Sequence, residues 1–323
     1  MTGVSRETGA RVLAITNQKG GVGKTTTAVN IATGLAERGQ RVLCIDLDPQ
    51  GNASSAFGLD PVEDGPTLYQ ALIHQRSLSD TVVASPTQAG LFIVPSTPDL
   101  VGCEVDLMYV AAWENRLRRC LAPLTAGYDW VLIDCPPSLG HLTVNAFTAA
   151  QELLVPIQCE FYALQGVGQL LRSLDSVRAY LNPNLVLSTI LLTMYDARTR
   201  LADQVVKDVR AHFGDLVLNT VIPRSVRLSE APGYGQSVLT YDPTSRGAAA
   251  YRAAVEEMLV RAAVAEAIAD PGSVIERLLR GSVSAPGTAT PGTATPDTVT
   301  PDTVPDTVPG AAPGPASLAE RPT

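Results

Sequence analysis

Residues Asn17–Ala32 read NQKGGVGKTTTAVNIA and follow the apolar run RVLAIT at 11–16. A buried strand that enters a glycine-rich turn and then a helical pattern is the setting in which a phosphate-binding loop is credible. Gly20, Gly21 and Gly23 let the backbone take φ > 0 and come close to an anion. Their amides, with the amino end of the following helix, can cradle β- and γ-phosphates. Lys24 adds positive charge there, and the Thr25 hydroxyl can coordinate Mg²⁺. Lys24 already supplies the one lysine such a loop needs, so Lys19, ahead of the glycines, is left over.

The rest of the chain alternates in the same way. Apolar runs at 41–47, 91–95, 130–134, 153–157, 185–194 and 216–222 are hydrophobic on both faces, as in a parallel sheet covered by helices on each side. Helical patterns fall at 24–38, 104–122, 139–150, 163–181, 201–213 and 244–268, and Gly39 stops the first of them. This predicts an α/β fold: a doubly wound, mostly parallel sheet with helices on both faces and ligands at the carboxyl ends of the strands.

Two of those strand ends are acidic. In DWVLIDCPPS, four apolar residues lead to Asp134, placed as a Walker-B acid near Mg²⁺, and no Glu follows it. In CIDLDPQGN, Asp46 and Asp48 stand two apart. Asp48 could reach an attacking water or merely open the turn before Pro49. Asp46 could support Mg²⁺ or the fold. The late segment LLTMYD lacks the lysine of a guanine-reading NKxD, which favours adenine.

Composition sets the outer limits. The chain has 323 residues, 45% of them hydrophobic, and a net charge of -8, which argues against a broad basic coat but not against a local basic patch. Cys44, Cys103, Cys120, Cys135 and Cys159 are scattered without a CxxC pair and read as small buried hydrophobes. No apolar run approaches the ~18 residues of a membrane span, and MTGVSRETGARV lacks a signal-peptide core, so a soluble, cytoplasmic protein is expected. Residues 1–10 read as a flexible N-terminus, 11–262 as the nucleotide-binding domain and 263–281 as a helical extension. The proline- and threonine-rich repeats of 282–323 read as a disordered tail.

KGGVGKTT with its early lysine, DLDPQGN, IDCPPSLG, LLTMYDART and VIPRSVRLSEAP together resemble the ParA/Soj chromosome- and plasmid-partition ATPases of the MinD/ParA deviant Walker A superfamily. The likeness runs from about Arg11 to Ala262. It implies a P-loop NTPase fold, ATP and Mg²⁺ as cofactors, and an ATP-dependent homodimer in which Lys19 reaches the partner's ATP. Lys24, Thr25 and Thr26 would bind phosphate and Mg²⁺ within the loop Gly20, Gly21, Val22 and Gly23, with Gly20 at the dimer interface. Asp48 would orient the hydrolytic water and Asp134 would be the Walker-B acid. Pro223 and Ser225 would lie near the adenine, although 225 is commonly Asn in the family.

The resemblance further implies non-specific binding of double-stranded DNA by the ATP dimer, nucleoid association, and a ParB/Spo0J-type centromere-binding partner that stimulates hydrolysis. Arg198 and Arg227 match the family's DNA-binding arginines, and Arg200 and Arg224 extend the patch. Read as residues alone, these are equally surface arginines with carboxylate neighbours such as Asp196 and Glu230. A MinD-like membrane-surface ATPase is the alternative, with SVIERLLRG (273–281) as its candidate amphipathic helix.

Overall fold

The computed structural model describes residues 9–60, 65–161 and 163–269. Its strands are β1 (Arg11–Ile15), β2 (Val42–Asp46), β3 (Val83–Ala84), β4 (Leu91–Val94), β5 (Trp130–Asp134), β6 (Glu152–Gln158), β7 (Val186–Tyr195) and β8 (Val217–Pro223). They form one sheet in the order β3-β4-β2-β5-β1-β6-β7-β8. Every pairing is parallel except β3 with β4. All seven expected runs are strands. The short antiparallel edge strand β3 was not expected.

The helices are α1 (Lys24–Glu37), α2 (Asn52–Ala56), α3 (Leu68–His74), α4 (Cys103–Asp106), α5 (Arg116–Leu121), α6 (His141–Ala149), α7 (Ala163–Tyr180), α8 (Arg200–Phe213), α9 (Val226–Glu230), α10 (Val238–Tyr241) and α11 (Arg246–Ala269). Helix α8 shows why such segments are helical. Its Thr199 cap accepts a hydrogen bond from Ala202 N, and Ala202, Val205, Val206 and Val209 make one buried stripe.

Period-two alternation splits the apolar side chains between two cores. Val12, Ala14, Leu43, Ile45, Val131 and Ile133 face a layer containing α3, α5, α6, α7 and α8. Leu13, Ile15, Val42, Cys44, Trp130 and Leu132 face α1, α2, α10 and α11. Each fully buried Leu or Ile contributes about 1.5–3 kcal/mol. Arg11 ties β1 to β6 by donating from Nε and one terminal nitrogen to the two carboxylate oxygens of Glu152.

The single helix expected over 104–122 is broken. Val110 is extended and Ala112 has φ 51, so the chain bends between α4 and α5. The bend sets Trp113 edge-on to His141 and lets Leu117 and Leu121 enter the core. Helix α11 runs continuously past residue 262, the expected domain end. Contacts divide the chain at Glu276/Arg277, and every described residue belongs to the first unit. The expected tail at 282–323 and the amphipathic stretch 273–281 lie outside the described residues.

Candidate nucleotide site

The glycine loop joins β1 to α1 at the carboxyl edge of the sheet. Gly21 and Gly23 have φ 75 and 89, conformations that a side chain would strain. A Cβ built on Gly20 or Gly21 meets no atom within 4 Å, so the space over the loop is open. The loop is fastened from two neighbouring strands. Asn17 Nδ2 donates to Pro156 O at 2.8 Å while its Oδ1 accepts from Lys19 N at 3.0 Å. From β7, Thr193 Oγ1 donates to Val22 O at 2.8 Å. Asn17 and Thr193 escaped the sequence reading because the strand-to-loop bonds they make, to Pro156 O and Val22 O, join main-chain groups far along the chain. The first turn of α1 carries no acidic residue, leaving its positive end to an anion.

Lys24 is buried and its Nζ donates to Lys19 O at 3.3 Å. Burial lowers its pKa, opposed by the charges of Asp134 and Asp48. Asp134 closes β5 directly beside β1 and β2, in register with Ile15 and Asp46. It is wholly buried, and neither carboxylate oxygen has a hydrogen-bond partner of ordinary geometry. Burial pushes its pKa well up and the neighbouring Asp46 charge adds to this, while the nearby Thr25 hydroxyl and Lys24 oppose it.

Asp46 differs. Its Oδ2 accepts from Ser54 N and Ser54 Oγ, both at 2.7 Å, and its Oδ1 accepts from Asp48 N at 3.3 Å. Burial raises its pKa to about 6 despite these bonds. Its oxygens are committed to the fold, which decides between the two roles open to it in the sequence. Asp48 lies past the end of β2, only 6% exposed, and its Oδ1 accepts from Gln50 N at 3.0 Å.

A magnesium ion that arrives with phosphates fits this donor set. Among the described residues no group of three or more His, Cys, Asp or Glu could hold a metal by itself. Mg²⁺ takes oxygen ligands and is usually held by one or two carboxylates plus substrate phosphates. The two unpartnered Asp134 oxygens beside Thr25 and Lys24 match that requirement.

Lys19 forms an ion pair with Glu160 just past β6. Its side chain is 38% exposed. At the far side, Pro223 ends β8 opposite Tyr195, and Ser225 precedes α9 in an extended conformation without a side-chain cap bond. Arg198 and Arg224 flank Asp196 at the ends of β7 and β8. Hydrogen bonds from Arg198 at 2.8 and 2.7 Å, with help from the Arg224 charge, pull the Asp196 pKa down to about 2. Arg227, on α9, pairs with Glu230 at 2.9 Å and Asp242 at 3.3 Å. All three arginines are exposed. The carboxylate neighbours expected from the sequence are therefore present, at Asp196 and Glu230.

A glycine loop between a central parallel strand and a helix, with a carboxylate at the end of the adjacent strand, defines a P-loop nucleoside triphosphatase. Residues 10–187 match the AAA domain family. The chain is 51% identical over 253 residues to the chromosome partitioning protein ParA of Caulobacter vibrioides, covering 78% of this chain and 94% of that one. It is 48% identical over 241 residues to the sporulation initiation inhibitor protein Soj of Bacillus subtilis, covering 75% and 95%. A solved structure described as cobyrinic acid a,c-diamide synthase of Mycobacterium smegmatis, with bound ADP and magnesium, is 40% identical. It superposes with a TM-score of 0.68 over 77% of this chain and 94% of that one. The chain belongs to the ParA/Soj family of chromosome-partitioning ATPases.

Proposed function

We propose that this chain is a partition ATPase whose ATP-bound homodimer holds double-stranded DNA without sequence preference, and whose hydrolysis, stimulated by a ParB-type centromere-binding protein, releases it. The observation that carries this reading is the pair of lysines. Lys24 is buried beside Asp48 and Asp134, whereas the Lys19 side chain is half-exposed and pairs with Glu160. A lysine that serves a partner's nucleotide has to be reachable from outside its own chain, and the partial exposure of Lys19 supports that role.

Within one site, Gly20, Gly21, Val22 and Gly23 offer the loop amides, and Lys24, Thr25 and Thr26 complete the phosphate grip. Thr25 and Asp134 would hold a magnesium ion, which would supply neutralisation of phosphate charge. Asp48 orients the water. Cys135 follows Asp134 and is buried, so Asp48 is the carboxylate left for that task. Pro223 and Ser225 line the adenine side. Charge growing on the γ-phosphate in the transition state is met by Lys24 in the same chain and Lys19 from the other, which makes turnover wait for dimerisation.

Arg198, Arg224 and Arg227 supply the phosphate contacts to DNA. Each is exposed, and a dimer doubles the set. Phosphate contacts of this kind confer steep salt dependence and no base code. A nucleoid-associated location in the cytoplasm, serving a chromosome or a plasmid, follows from that binding. No helix among the described residues is long and apolar enough to cross a membrane.

The test is binding to random-sequence duplex DNA with ATP, ADP or no nucleotide, alongside sedimentation. ATP alone supports both the dimer and DNA binding in this reading, and Arg227→Glu removes DNA binding while the dimer persists. Equal DNA binding with ADP would overturn it.

A further inference from the structure

We infer that Asp46 is a positioning residue for hydrolysis, acting through Ser54 to hold the Asp48 turn in place. This inference rests on the proposed role of Asp48 in orienting the water.

The carboxylate of Asp46 is the centre of a buried, fully connected network. It lies at the last position of β2 and is 0% exposed. One oxygen accepts both the amide and the hydroxyl of Ser54, at 2.7 Å each. The other accepts the Asp48 amide at 3.3 Å. Ser54 Oγ in turn accepts from Ser96 N at 2.9 Å, just beyond the end of β4. The two strands that flank the turn are therefore tied to each other through the residues that bracket it.

Inside that frame the turn closes on itself. Asp48 Oδ1 accepts from Gln50 N, Asp48 O accepts from Gly51 N at 2.9 Å, and Gly51 has φ 63 at the entry to α2. The Asp48 side chain is thereby aimed by a backbone whose two ends, Asp48 N and Ser54 N, both hang on one carboxylate. Asp134 makes the contrast. It sits beside Asp46 in register, yet no hydrogen bond of ordinary geometry holds its oxygens, which suit a metal. Of two adjacent buried carboxylates, one is reserved for a ligand and the other for the shape of the turn.

Reactive geometry is sensitive to displacements on the order of 1 Å, which cost roughly 100-fold in rate. In Asp46→Asn one acceptor becomes a donor facing either Ser54 N or Asp48 N, so one end of the turn is released. Ser54→Ala removes the hydroxyl link to Asp46 and the acceptor of Ser96 N, and Ser54→Thr retains them.

The experiment is single-turnover hydrolysis by the full-length protein at saturating Mg-ATP, with nucleotide affinity measured separately. Asp46→Asn is expected to lower the rate by roughly 10- to 100-fold, and Ser54→Ala by a smaller factor that Ser54→Thr restores. ATP affinity stays within about twofold, because the phosphate loop is untouched. In an Asp48→Ala background, Asp46→Asn adds little further loss, since it acts only through Asp48.

A wild-type rate in both Asp46→Asn and Ser54→Ala overturns the inference. So does an undiminished loss in the Asp48→Ala background, or a parallel loss of ATP affinity, either of which marks a general structural role. If Asp46→Asn does not fold, Ser54→Ala and its threonine rescue decide. If Asp48→Ala itself keeps the wild-type rate, the water-orienting role of Asp48 fails first. Full activity of Asp46→Asn beside an inactive Asp48→Ala removes only the present inference.

Discussion

Replacing Asp134 by Asn makes the nucleotide-free protein more stable at neutral pH while disabling the site. The wild-type carboxylate is wholly buried, without a hydrogen bond of ordinary geometry to either oxygen, and the nearby Thr25 hydroxyl and Lys24 charge offset its burial only in part, since its pKa remains well raised. Leaving a buried charge unpaired costs about 3–5 kcal/mol, against about 1–3 kcal/mol for an unsatisfied neutral polar group. The exchange therefore stabilises the fold by ~2 kcal/mol, or roughly 4–8 °C in Tm for a domain of this size. The sign of the pH dependence follows from the raised pKa. The folded state holds the Asp134 proton more tightly than the unfolded chain does. Its contribution therefore falls as pH rises from the unfolded carboxyl value, near 4, towards the folded one. Wild type and variant converge at the acid end of that window and separate above it.

The assay is urea or thermal denaturation in EDTA, without nucleotide, at steps from pH 5 to 8. Magnesium with ADP supplies the second arm, because ligand binding raises the Tm of the wild type by mass action. The variant loses the magnesium-dependent part of that rise. An Asp134→Asn protein no more stable than wild type at pH 7.5, or a stability difference that does not change with pH, would refute the reasoning.

Lys19→Ala retains ATP binding and loses hydrolysis by more than about tenfold, and normal turnover in that variant removes the proposed action on the partner's site. Gly140→Ala places a Cβ 2.5 Å from both Glu104 oxygens, which accept from His141 N and Leu142 N at the start of α6. Displacing that cap costs about 1–2 kcal/mol in urea denaturation, and Glu104→Ala in the same background adds little if the two act together. Tyr251→Phe removes the buried 3.2 Å bond between α11 and Thr27 of α1. A loss of about 1 kcal/mol is expected, and an unchanged denaturation midpoint means the bond contributes nothing.

Local signals carried the sheet and the phosphate loop. The strands of a covered parallel sheet are continuous apolar runs, and the loop lies wholly between one strand and one helix, so each was legible from a few neighbouring residues. The helix expected at 104–122 failed for a related reason. Val105, Met108 and Tyr109 repeat at helical spacing, but they and Val101 are exposed, and the chain breaks at Val110–Ala112 to bring Leu117 inward. Periodicity does not say which face is covered. Long-range pairing was equally hidden. Glu160 lies far along the chain from Lys19, and Ser96 is 42 residues from Ser54. No local pattern marks either partner. The arginine pairs were readable because Arg198–Asp196 and Arg227–Glu230 are two and three residues apart.

The place of β1 in the sheet has a consequence for how the molecule opens. Four strands lie on one side of it and three on the other, and Leu13, Ala14 and Ile15 are paired with β5 and β6 at once. Amides bonded in the middle of a sheet exchange with solvent only on global unfolding, whereas edge strands such as β3 and β8 open locally. The glycine loop is therefore mounted on an interior strand that is paired on both sides, where amides are expected to exchange slowly. Nucleotide can therefore arrive and leave without loosening the strand that carries the phosphate seat.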